Sequence, residues 1–285
     1  MLFPRDRVTL VGILNATPDS FSDGGRLADV EAAVAAGLAM VQDGAHVIDV
    51  GGESTRPGAQ PVAAGVEIGR VVPVVERLAR EVAVSVDTRK GEVAEAALRA
   101  GARVVNDVSG GRDPRLLEAA ARAGAALVLG HLRGEPATMQ EHVRFEDVVA
   151  EVTAELGEAV ARARAAGVRE VVADPGIGFG KRLEHNLALI ANLGALKELG
   201  VPVMVGPSRK SFLGELTGDP VEARDRATLA ACAVAVFAGA DALRVHDVAG
   251  ARRAVAVAAA LRDCKRPQGA RSERHASEAN RRKKR

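Results

Sequence analysis

Short apolar runs that end in a polar or charged residue recur eight times along the chain. A helix-like stretch, amphipathic or rich in Ala, follows nearly every run. Strands that are apolar on both faces and alternate with helices are typical of parallel sheets built from βα units. The runs cover residues 8–15, 47–49, 84–87, 104–107, 126–131, 171–174, 203–208 and 242–246.

Eight βα units predict one (β/α)8 barrel, the TIM barrel. In that fold the active site lies at the carboxyl ends of the strands. The polar residues that end the runs are therefore expected to meet in one pocket. They are Asn15, Asp49, Asp87, Asn106, His131, Asp174, Ser208 and His246.

Length and composition favour a single large α/β domain that does not enter a membrane. A barrel of this kind needs about 250 residues, and the chain has 285. The N-terminus has no signal-like apolar segment, and the longest apolar stretch, residues 229–240, is too short to span a bilayer. Cys232 and Cys264 have neither CxxC spacing nor a nearby His cluster, which argues against a disulfide framework or a thiolate zinc site. We therefore expect a cytoplasmic protein.

Charge divides the chain into a domain and a tail. Residues 265–285 hold nine Lys or Arg and two Glu, a charge of +7, so residues 1–264 carry −5 of the total of +2. The tail has too few apolar residues to fold, which predicts a barrel over 1–264 and a disordered basic tail over 265–285. The tail has two interpretations: contact with nucleic acid or an acidic partner, or no role beyond solubility. The chain has no Trp or Tyr to stack on bases, so we favour the second.

Two helical stretches near the C-terminus, residues 227–240 and 254–261, are apolar almost all round. This pattern predicts burial on both faces. One interpretation is close packing of Ala against the barrel, and the other, which we favour, is a homodimer interface made by the last two helices.

The first two loops carry polar groups suited to anions. Residues 15–25 form a loop too long for a simple βα turn, and long loops in compact domains are usually functional. Asn15 stands where an amide can hold a phosphate oxygen or a metal-bound water, although self-capping by Asp19 and its neighbours is the alternative. In the second loop, residues 51–58, Arg56 offers the fork of donors that suits oxyanions, but it is equally consistent with a solvated side chain.

Three later strands end in acceptors. Asp87, Asn106 and Asp174 each follow an apolar run. A single Asp there is often a helix N-cap, but three such groups together favour a binding pocket. After Asp174, three glycines in eight residues allow close approach to a flat ligand that Phe179 can cover.

The last two loops supply cations. Loops after strands seven and eight often bind phosphate in TIM barrels. Here they offer Arg209, Lys210, Arg244 and His246, which predicts an anionic substrate or leaving group. His131, by contrast, is better explained as a structural histidine than as a ligand.

Together these motifs resemble the dihydropteroate synthase family over roughly residues 8–263. The matching segments lie in family order at residues 15–25, 53–58, 174–181, 208–211 and 244–248. The resemblance implies a transferase of folate biosynthesis that joins p-aminobenzoate to 6-hydroxymethyl-7,8-dihydropterin pyrophosphate, with Mg²⁺ as cofactor, and that is a target of sulfonamides. One departure lies at Gly130, Leu132 and Arg133, where the family commonly has methionines flanking the histidine and a glutamine after it.

The resemblance also implies a role for individual residues. The implied pterin-binding residues are Asp87, Asn106, Asp174, Lys210 and Arg244. The implied p-aminobenzoate residues are Phe21, Thr55, Pro57, Phe179 and Ser211. The implied catalytic set is Asn15, Asp23, Arg56, Lys210, Arg244 and His246, with Asn15 as the metal ligand.

Three other functions remain to be weighed against this one. A pterin-dependent methyltransferase of the corrinoid type would bind the same ring but would not need the anion-binding residues or the loop with Thr55 and Pro57. A Schiff-base aldolase would use Lys210 as its nucleophile. A non-catalytic nucleic-acid-binding protein would act through residues 265–285.

Overall fold

The computed structural model describes residues 1–16, 26–54, 60–141 and 143–264, and within these ranges eight strands alternate with α-helices. The strands are β1 Thr9–Asn15, β2 Val47–Gly51, β3 Ala83–Asp87, β4 Val104–Asp107, β5 Ala126–Gly130, β6 Glu170–Asp174, β7 Met204–Val205 and β8 Ala242–Val245. The helices are α1 Arg26–Asp43, α2 Ala64–Leu78, α3 Gly91–Arg99, α4 Pro114–Ala123, α5 Val148–Ala165, α6 Leu183–Ala191, α7 Leu193–Lys197, α8 Ser211–Thr217, α9 Asp225–Ala238 and α10 Val248–Cys264.

All strand pairs are parallel, and their order closes a barrel. The strands β1 to β6 are neighbours in sequence order, β8 pairs with β1, and β7 pairs with β8. A single bridge between Ala173 and Val203 joins β6 to β7. The predicted TIM barrel is therefore confirmed.

The strands are apolar on both faces because each face packs against a different layer. In β2, Ile48 and Val50 belong to the large core between the sheet and the helices. Val47, which points the other way, belongs to a smaller core inside the barrel. Because both faces are buried, apolar and polar residues do not alternate along the strands in the sequence.

The N-terminal residues close one end of the barrel. Phe3 is buried in the inner core beside Val11 and Met204. The carboxylate of Glu170, at the start of β6, accepts hydrogen bonds from the backbone N–H groups of Leu2 and Phe3 at 2.6 and 2.8 Å. The N-terminal residues are thus fastened to the amino end of β6, opposite the end where the predicted site residues lie.

The carboxylates of Asp87 and Asp174 do not cap the helices that follow them. Asp113 and Asp147 are the acidic residues that cap α4 and α5, and both lie in loops well after a strand. Helix α3 begins after Lys90 and α6 after Arg182, so Asp87 and Asp174 remain available for other partners.

The last two helices bury one face within this chain and carry exposed apolar side chains on the other. They pack against each other, and α9 buries Thr228, Cys232, Ala235 and Val236 on one face. Four large apolar side chains stay exposed on the outer surface: Val234 and Phe237 on α9, and Val257 and Leu261 on α10. Among the described helices, none combines the length and the apolarity that a membrane crossing requires.

Candidate active site

Strand register places the predicted acceptors side by side. Asp87 is in register with Asn106 on β4 and with Gly51 on β2, and Asp174 is in register with Gly130. Asp87, Asn106 and Asp174 face a cavity at the carboxyl end of the barrel. Its lining includes Asp87, Asn106, Val108, Gly130, Asp174, Gly176, Ile177, Phe179, Gly206, Lys210 and Arg244. All five predicted pterin residues, together with Phe179, therefore share one pocket.

Two carboxylates hold Arg244 in the pocket. Its Nε donates to Asp49 Oδ2 and its Nη2 to Asp87 Oδ2, both at 2.6 Å. Asp49 Oδ2 also accepts from Asn106 Nδ2 at 2.9 Å. Asp49 ends an apolar run, but neither the motifs nor the resemblance gave it a role, because its partner Arg244 lies 195 residues away in the chain.

Burial shifts the protonation of these groups. It raises the pKa of Asp87 to about 7, with Arg244 opposing the shift and Asp49 adding to it. Burial also raises the pKa of Asp174 and lowers that of Lys210 to about 8. Although burial alone would lower the pKa of Arg244, the carboxylates of Asp49 and Asp87 raise it above its usual value. The pocket thus holds the permanent cation of Arg244 beside Asp87 and Lys210, whose pKa values lie at about 7 and about 8.

The glycine-rich loop after β6 is shaped by close contact with neighbouring protein. Gly176 has φ +66°, and a Cβ there would lie 2.0 Å from the carbonyl oxygen of His131. A Cβ on Gly178 would lie 2.8 Å from Lys210 Cδ. These two glycines therefore allow the loop to lie close to His131, which follows β5, and to Lys210. Lys210 Nζ then lies 3.8 Å from the centre of the Phe179 ring, a cation–π contact.

His131 lies behind the pocket in a buried network. Lys181 Nζ donates to its Nδ1 at 2.9 Å, and its Nε2 lies 3.0 Å from Glu155 Oε2. Burial, helped by the charge of Lys181, lowers the pKa of His131 to about 4, so the ring is neutral and Nε2 donates to Glu155. Lys181 also donates to the carbonyl of Phe179 at 3.1 Å. The network therefore ties the glycine-rich loop to β5.

Gly130, Leu132 and Arg133 differ from the residues that the family commonly has, and they lie in different surroundings. Gly130 lines the cavity, and a Cβ there would lie 2.9 Å from the Cα of Val108. Leu132 packs with Val108 and Met139, partly against Phe179. Arg133 donates to Glu151 and Glu155 of α5, so its charge is directed away from the cavity.

Two of the predicted anion-binding residues, Asn15 and His246, lie at the ends of β1 and β8. Ser208 Oγ is 2.9 Å from His246 Nδ1 and accepts from the His246 backbone N–H at 3.2 Å. Asn15 ends β1 in register with Gly51. Ser211 is the first residue of α8, next to Lys210.

Arg209 does not join this group as the sequence predicted. Its φ is +57°, and it is the one non-glycine residue with positive φ in the described ranges. Nε and Nη2 both donate at 2.8 Å to the carboxylate of Asp225 on α9. Because this bidentate pair already holds the guanidinium, we do not assign Arg209 to an anion.

A charged cluster that the sequence analysis did not identify anchors the second loop. Glu53 accepts from the Val62 N–H at 2.7 Å. Lys90 Nζ donates to Glu53, to the carbonyl of Val62 at 2.6 Å and to Glu67 at 2.6 Å. The two ends of the loop are thereby joined to the start of α3. Five predicted site residues lie outside the described residues: Phe21, Asp23, Thr55, Arg56 and Pro57.

Known proteins share this sequence and architecture. A family model described as a pterin binding enzyme matches residues 11–246. Dihydropteroate synthase from Mycobacterium leprae is 50% identical over 252 residues, which cover 85% of this chain and 89% of the relative.

Solved structures agree with the sequence relatives. Dihydropteroate synthase from Yersinia pestis in complex with a sulfonamide drug superposes with a TM-score of 0.86 at 40% identity, covering 91% of this chain and 96% of its own. The enzyme from Thermus thermophilus in complex with 4-aminobenzoate gives a TM-score of 0.82 at 48% identity, covering 90% and 96%. With its barrel, its pocket and these relatives in agreement, the chain belongs to the dihydropteroate synthase family, the pterin-binding transferases of folate biosynthesis.

Proposed function

We propose that the protein joins p-aminobenzoate to 6-hydroxymethyl-7,8-dihydropterin pyrophosphate, giving 7,8-dihydropteroate and pyrophosphate. One observation carries the proposal most directly: carboxylate and amide groups line the same small cavity as Lys210 and Arg244. A pterin has a flat ring with a guanidine-like edge of donors and a carbonyl beside it. The cavity supplies acceptors for that edge and cations for the carbonyl and the ring face.

Each pocket residue has a task in holding the ring. Asp174 accepts from the guanidine-like edge, and Asp87 and Asn106 bind the rest of the ring edge. Lys210 donates to the pterin carbonyl or a ring nitrogen. Arg244, whose plane is held by two carboxylates, stacks on the ring face.

The leaving group is held by Asn15, Arg56, Arg244 and His246. The bond between the CH₂ carbon and the pyrophosphate oxygen breaks, and its electron pair leaves with pyrophosphate. The cation that remains is delocalised into the dihydropterin ring, and Asp23 lies in the loop expected to stabilise it. The donors around the anion stabilise the negative charge as it develops, which is the main source of rate enhancement.

The second substrate needs little activation. The aniline nitrogen of p-aminobenzoate is neutral at pH 7, so its lone pair attacks the CH₂ carbon and the nitrogen then releases a proton to solvent. Phe179 and Ser211, with Phe21, Thr55 and Pro57, form its pocket. Sulfonamides resemble p-aminobenzoate in shape and charge, and we expect them to compete for this pocket.

The residues present fit a Mg²⁺ ion that the substrate largely carries. Mg²⁺ prefers oxygen ligands and commonly takes only one or two from the protein, with phosphate and water completing the shell. In the described ranges, no group of three or more His, Cys, Asp or Glu could hold a metal, so a site built by protein carboxylates is not the arrangement we propose. The amide oxygen of Asn15 lies about 4.0 Å from the position of a Cβ on Gly51 and is a suitable oxygen ligand at the end of β1. When bound, Mg²⁺ would neutralise charge on the pyrophosphate.

The protein is proposed to act as a homodimer in the cytoplasm. Val234, Phe237, Val257 and Leu261 are exposed apolar side chains on the packed pair α9 and α10, and we propose that together they form the subunit interface. Contiguous exposed apolar surfaces mark interaction sites. Cys232 is buried within α9 as a free thiol, which is consistent with a reducing compartment.

Pyrophosphate release tests the proposed reaction. We expect release only when p-aminobenzoate and the pterin pyrophosphate are both present, and the amount of 7,8-dihydropteroate formed should match it mole for mole. Release without p-aminobenzoate would indicate a hydrolase, and no release would contradict the proposal. Deleting residues 265–285 should leave turnover nearly unchanged, whereas a protein that acts through its basic tail would lose its activity.

A further inference from the structure

We propose that Asp49 is a positioning residue for the reaction, which fixes Arg244 and Asn106 from below the pocket. This inference rests on the proposed roles of those two residues in holding the pterin. Asp49 itself is assigned no contact with either substrate.

The contacts of Asp49 are concentrated on one oxygen. Oδ2 accepts from Arg244 Nε at 2.6 Å and from Asn106 Nδ2 at 2.9 Å. Oδ1 is buried and has no hydrogen-bond partner among the described residues. The side chain is 1% exposed. A buried carboxylate with one unsatisfied oxygen is costly, so stability alone would favour an apolar residue such as Val47, the preceding inward-facing residue of β2.

Two carboxylates together define the plane of the Arg244 guanidinium. Asp49 holds Nε and Asp87 holds Nη2, so rotation about the end of the side chain would break at least one charge-assisted bond. A stacking contact requires this plane to be parallel to the ring, and a leaving-group contact requires its remaining donors to point at the anion.

Asp49 and Asp87 differ in their access to ligand. Asp87 lines the cavity, so a pterin N–H that binds it competes with Arg244 for the same carboxylate. Asp49 is not among the residues that line the cavity, so its bonds to Arg244 and Asn106 persist when the pocket is filled. Asp49 therefore holds Arg244 and Asn106 whether or not substrate is bound, whereas Asp87 binds both Arg244 and the substrate.

The principal test compares Asp49→Ala and Asp49→Asn in the full-length protein. Asp49→Ala removes both hydrogen bonds, and we expect kcat and the affinity for pterin pyrophosphate each to fall by about tenfold or more. Asp49→Asn keeps an oxygen acceptor and should recover part of both losses. The KM for p-aminobenzoate should change by less than about twofold, because that substrate does not contact Arg244 in the proposed arrangement.

Asp241→Asn is the matched control. Asp241 is also a buried carboxylate, and it pairs with Lys197 and with the Val203 N–H, but it lies at the amino end of β8. We expect this variant to lower the melting temperature and to leave kcat and pterin affinity unchanged. A folded Asp49→Ala protein with wild-type kcat and pterin affinity would overturn the proposal.

A second arm covers the case in which Asp49→Ala does not fold. Arg244, Asp49, Glu67 and Lys210 are the charged groups that act on Asp87. In Asp49→Asn, Asp87 loses a like-charged neighbour, which lowers the pKa of Asp87. When pterin affinity is measured against pH, the pH at which affinity changes on the acid side should therefore shift by about half a pH unit toward lower pH. The control Asp241→Asn should leave this pH dependence in place because Asp241 is not among the charges that act on Asp87, and an unshifted pH dependence in Asp49→Asn would contradict the proposal.

The last arm asks whether Asp49 acts through Arg244. In an Arg244→Ala background, the further effect of Asp49→Asn on pterin affinity should be smaller than its effect in the wild type, because the partner is already gone. Equal effects in the two backgrounds would contradict the proposal. Failure of the wild-type protein to release pyrophosphate would instead reject the proposed function, so the two failures are distinguishable.

Discussion

Asp174 is a half-buried carboxylate, and its proposed role requires that both of its oxygens accept hydrogen bonds. Its Oδ1 accepts from the Gly176 N–H at 2.7 Å, which leaves the other oxygen for a ligand. Asp174→Asn can keep the bond to Gly176 but presents N–H donors to a ring edge that also donates. We expect an intact fold and a loss of pterin affinity of about 1–3 kcal/mol or more. Calorimetric titration with a pterin measures this, and unchanged affinity would remove Asp174 from the pocket.

His246 and Arg56 are assigned to the pyrophosphate and not to the ring. Replacing either by Ala should slow turnover by about 2.7–4 kcal/mol in activation free energy, the usual value of one donor to a developing anion. Since Ser208 Oγ is hydrogen-bonded to His246 Nδ1, His246→Gln should retain more activity than His246→Ala if hydrogen bonding dominates. The control is the bare pterin: an equal loss of affinity for bare pterin and for pterin pyrophosphate would contradict the assignment.

Asp87 should make stability depend on pH. Burial raises its pKa to about 7 in the folded protein, above the ordinary value of 3.8, so the folded state binds the proton more tightly than the unfolded state. The contribution is fully present below the unfolded pKa and is lost as pH rises through about 7. His131 acts in the opposite direction, because its pKa is lowered to about 4.

The comparison of Asp87→Asn with wild type isolates this effect. As pH rises from about 4 to about 7, the melting temperature of the wild type should fall relative to that of the variant. A difference that stays constant over this range would show that Asp87 keeps its ordinary pKa.

Individual site residues could be predicted where a strand end reveals them. Asp87, Asn106 and Asp174 each follow an apolar run, and the fold brings such ends together. Pairing across the barrel could not be predicted in this way, since the bond from Asp49 to Arg244 requires the register of two strands far apart in the chain. The same limit explains the error at Arg209, whose partner Asp225 is set by the packing of α9.

At the scale of elements, most strands could be predicted because double burial makes them continuously apolar. The prediction of residues 203–208 as a strand was too long, and regular pairing covers only Met204–Val205. Pro207 has no N–H to donate and the following residues turn toward α8, so the ladder ends early. The N-terminal closure by Phe3 had no sequence signal, because it depends on a carboxylate in β6.

Gly176 is the position where the glycine-rich loop is least tolerant of a side chain. Gly176→Ala would place Cβ 2.0 Å from the carbonyl oxygen of His131, so we expect a loss of about 3 kcal/mol or more in the free energy of unfolding. Gly200→Ala is the control, since Gly200 has φ +71° and nothing within 4 Å of its Cβ position. That change should cost about 1–2 kcal/mol from backbone strain alone. Chemical denaturation measures both, and equal losses would show that the loop moves to accommodate the methyl group.

At the scale of the whole molecule, the exposed surface of α9 and α10 should control assembly. Val257 is 63% exposed, and Val257→Glu would place a charge in the proposed subunit interface. We expect this variant to sediment as a monomer at concentrations where the wild type is a dimer. Val66→Glu on α2, which is 49% exposed in the monomer, is the matched control and should not change the sedimentation coefficient. A wild type that sediments as a monomer would contradict the proposed homodimer.

The number of paired residues between neighbouring strands varies around the barrel, and the proposed pterin pocket lies where the pairing is weakest, the join between β6 and β7. Most neighbouring strands share three to five registered pairs, whereas β6 and β7 meet through the single bridge between Ala173 and Val203. Asp174 follows directly on one side of this join, and Lys210 follows β7 on the other. In the proposed binding mode, a pterin held by both residues would span the join and add bonds that the strands themselves do not make. The substrate would then link the two strands, and part of its binding free energy would stabilise the closed barrel.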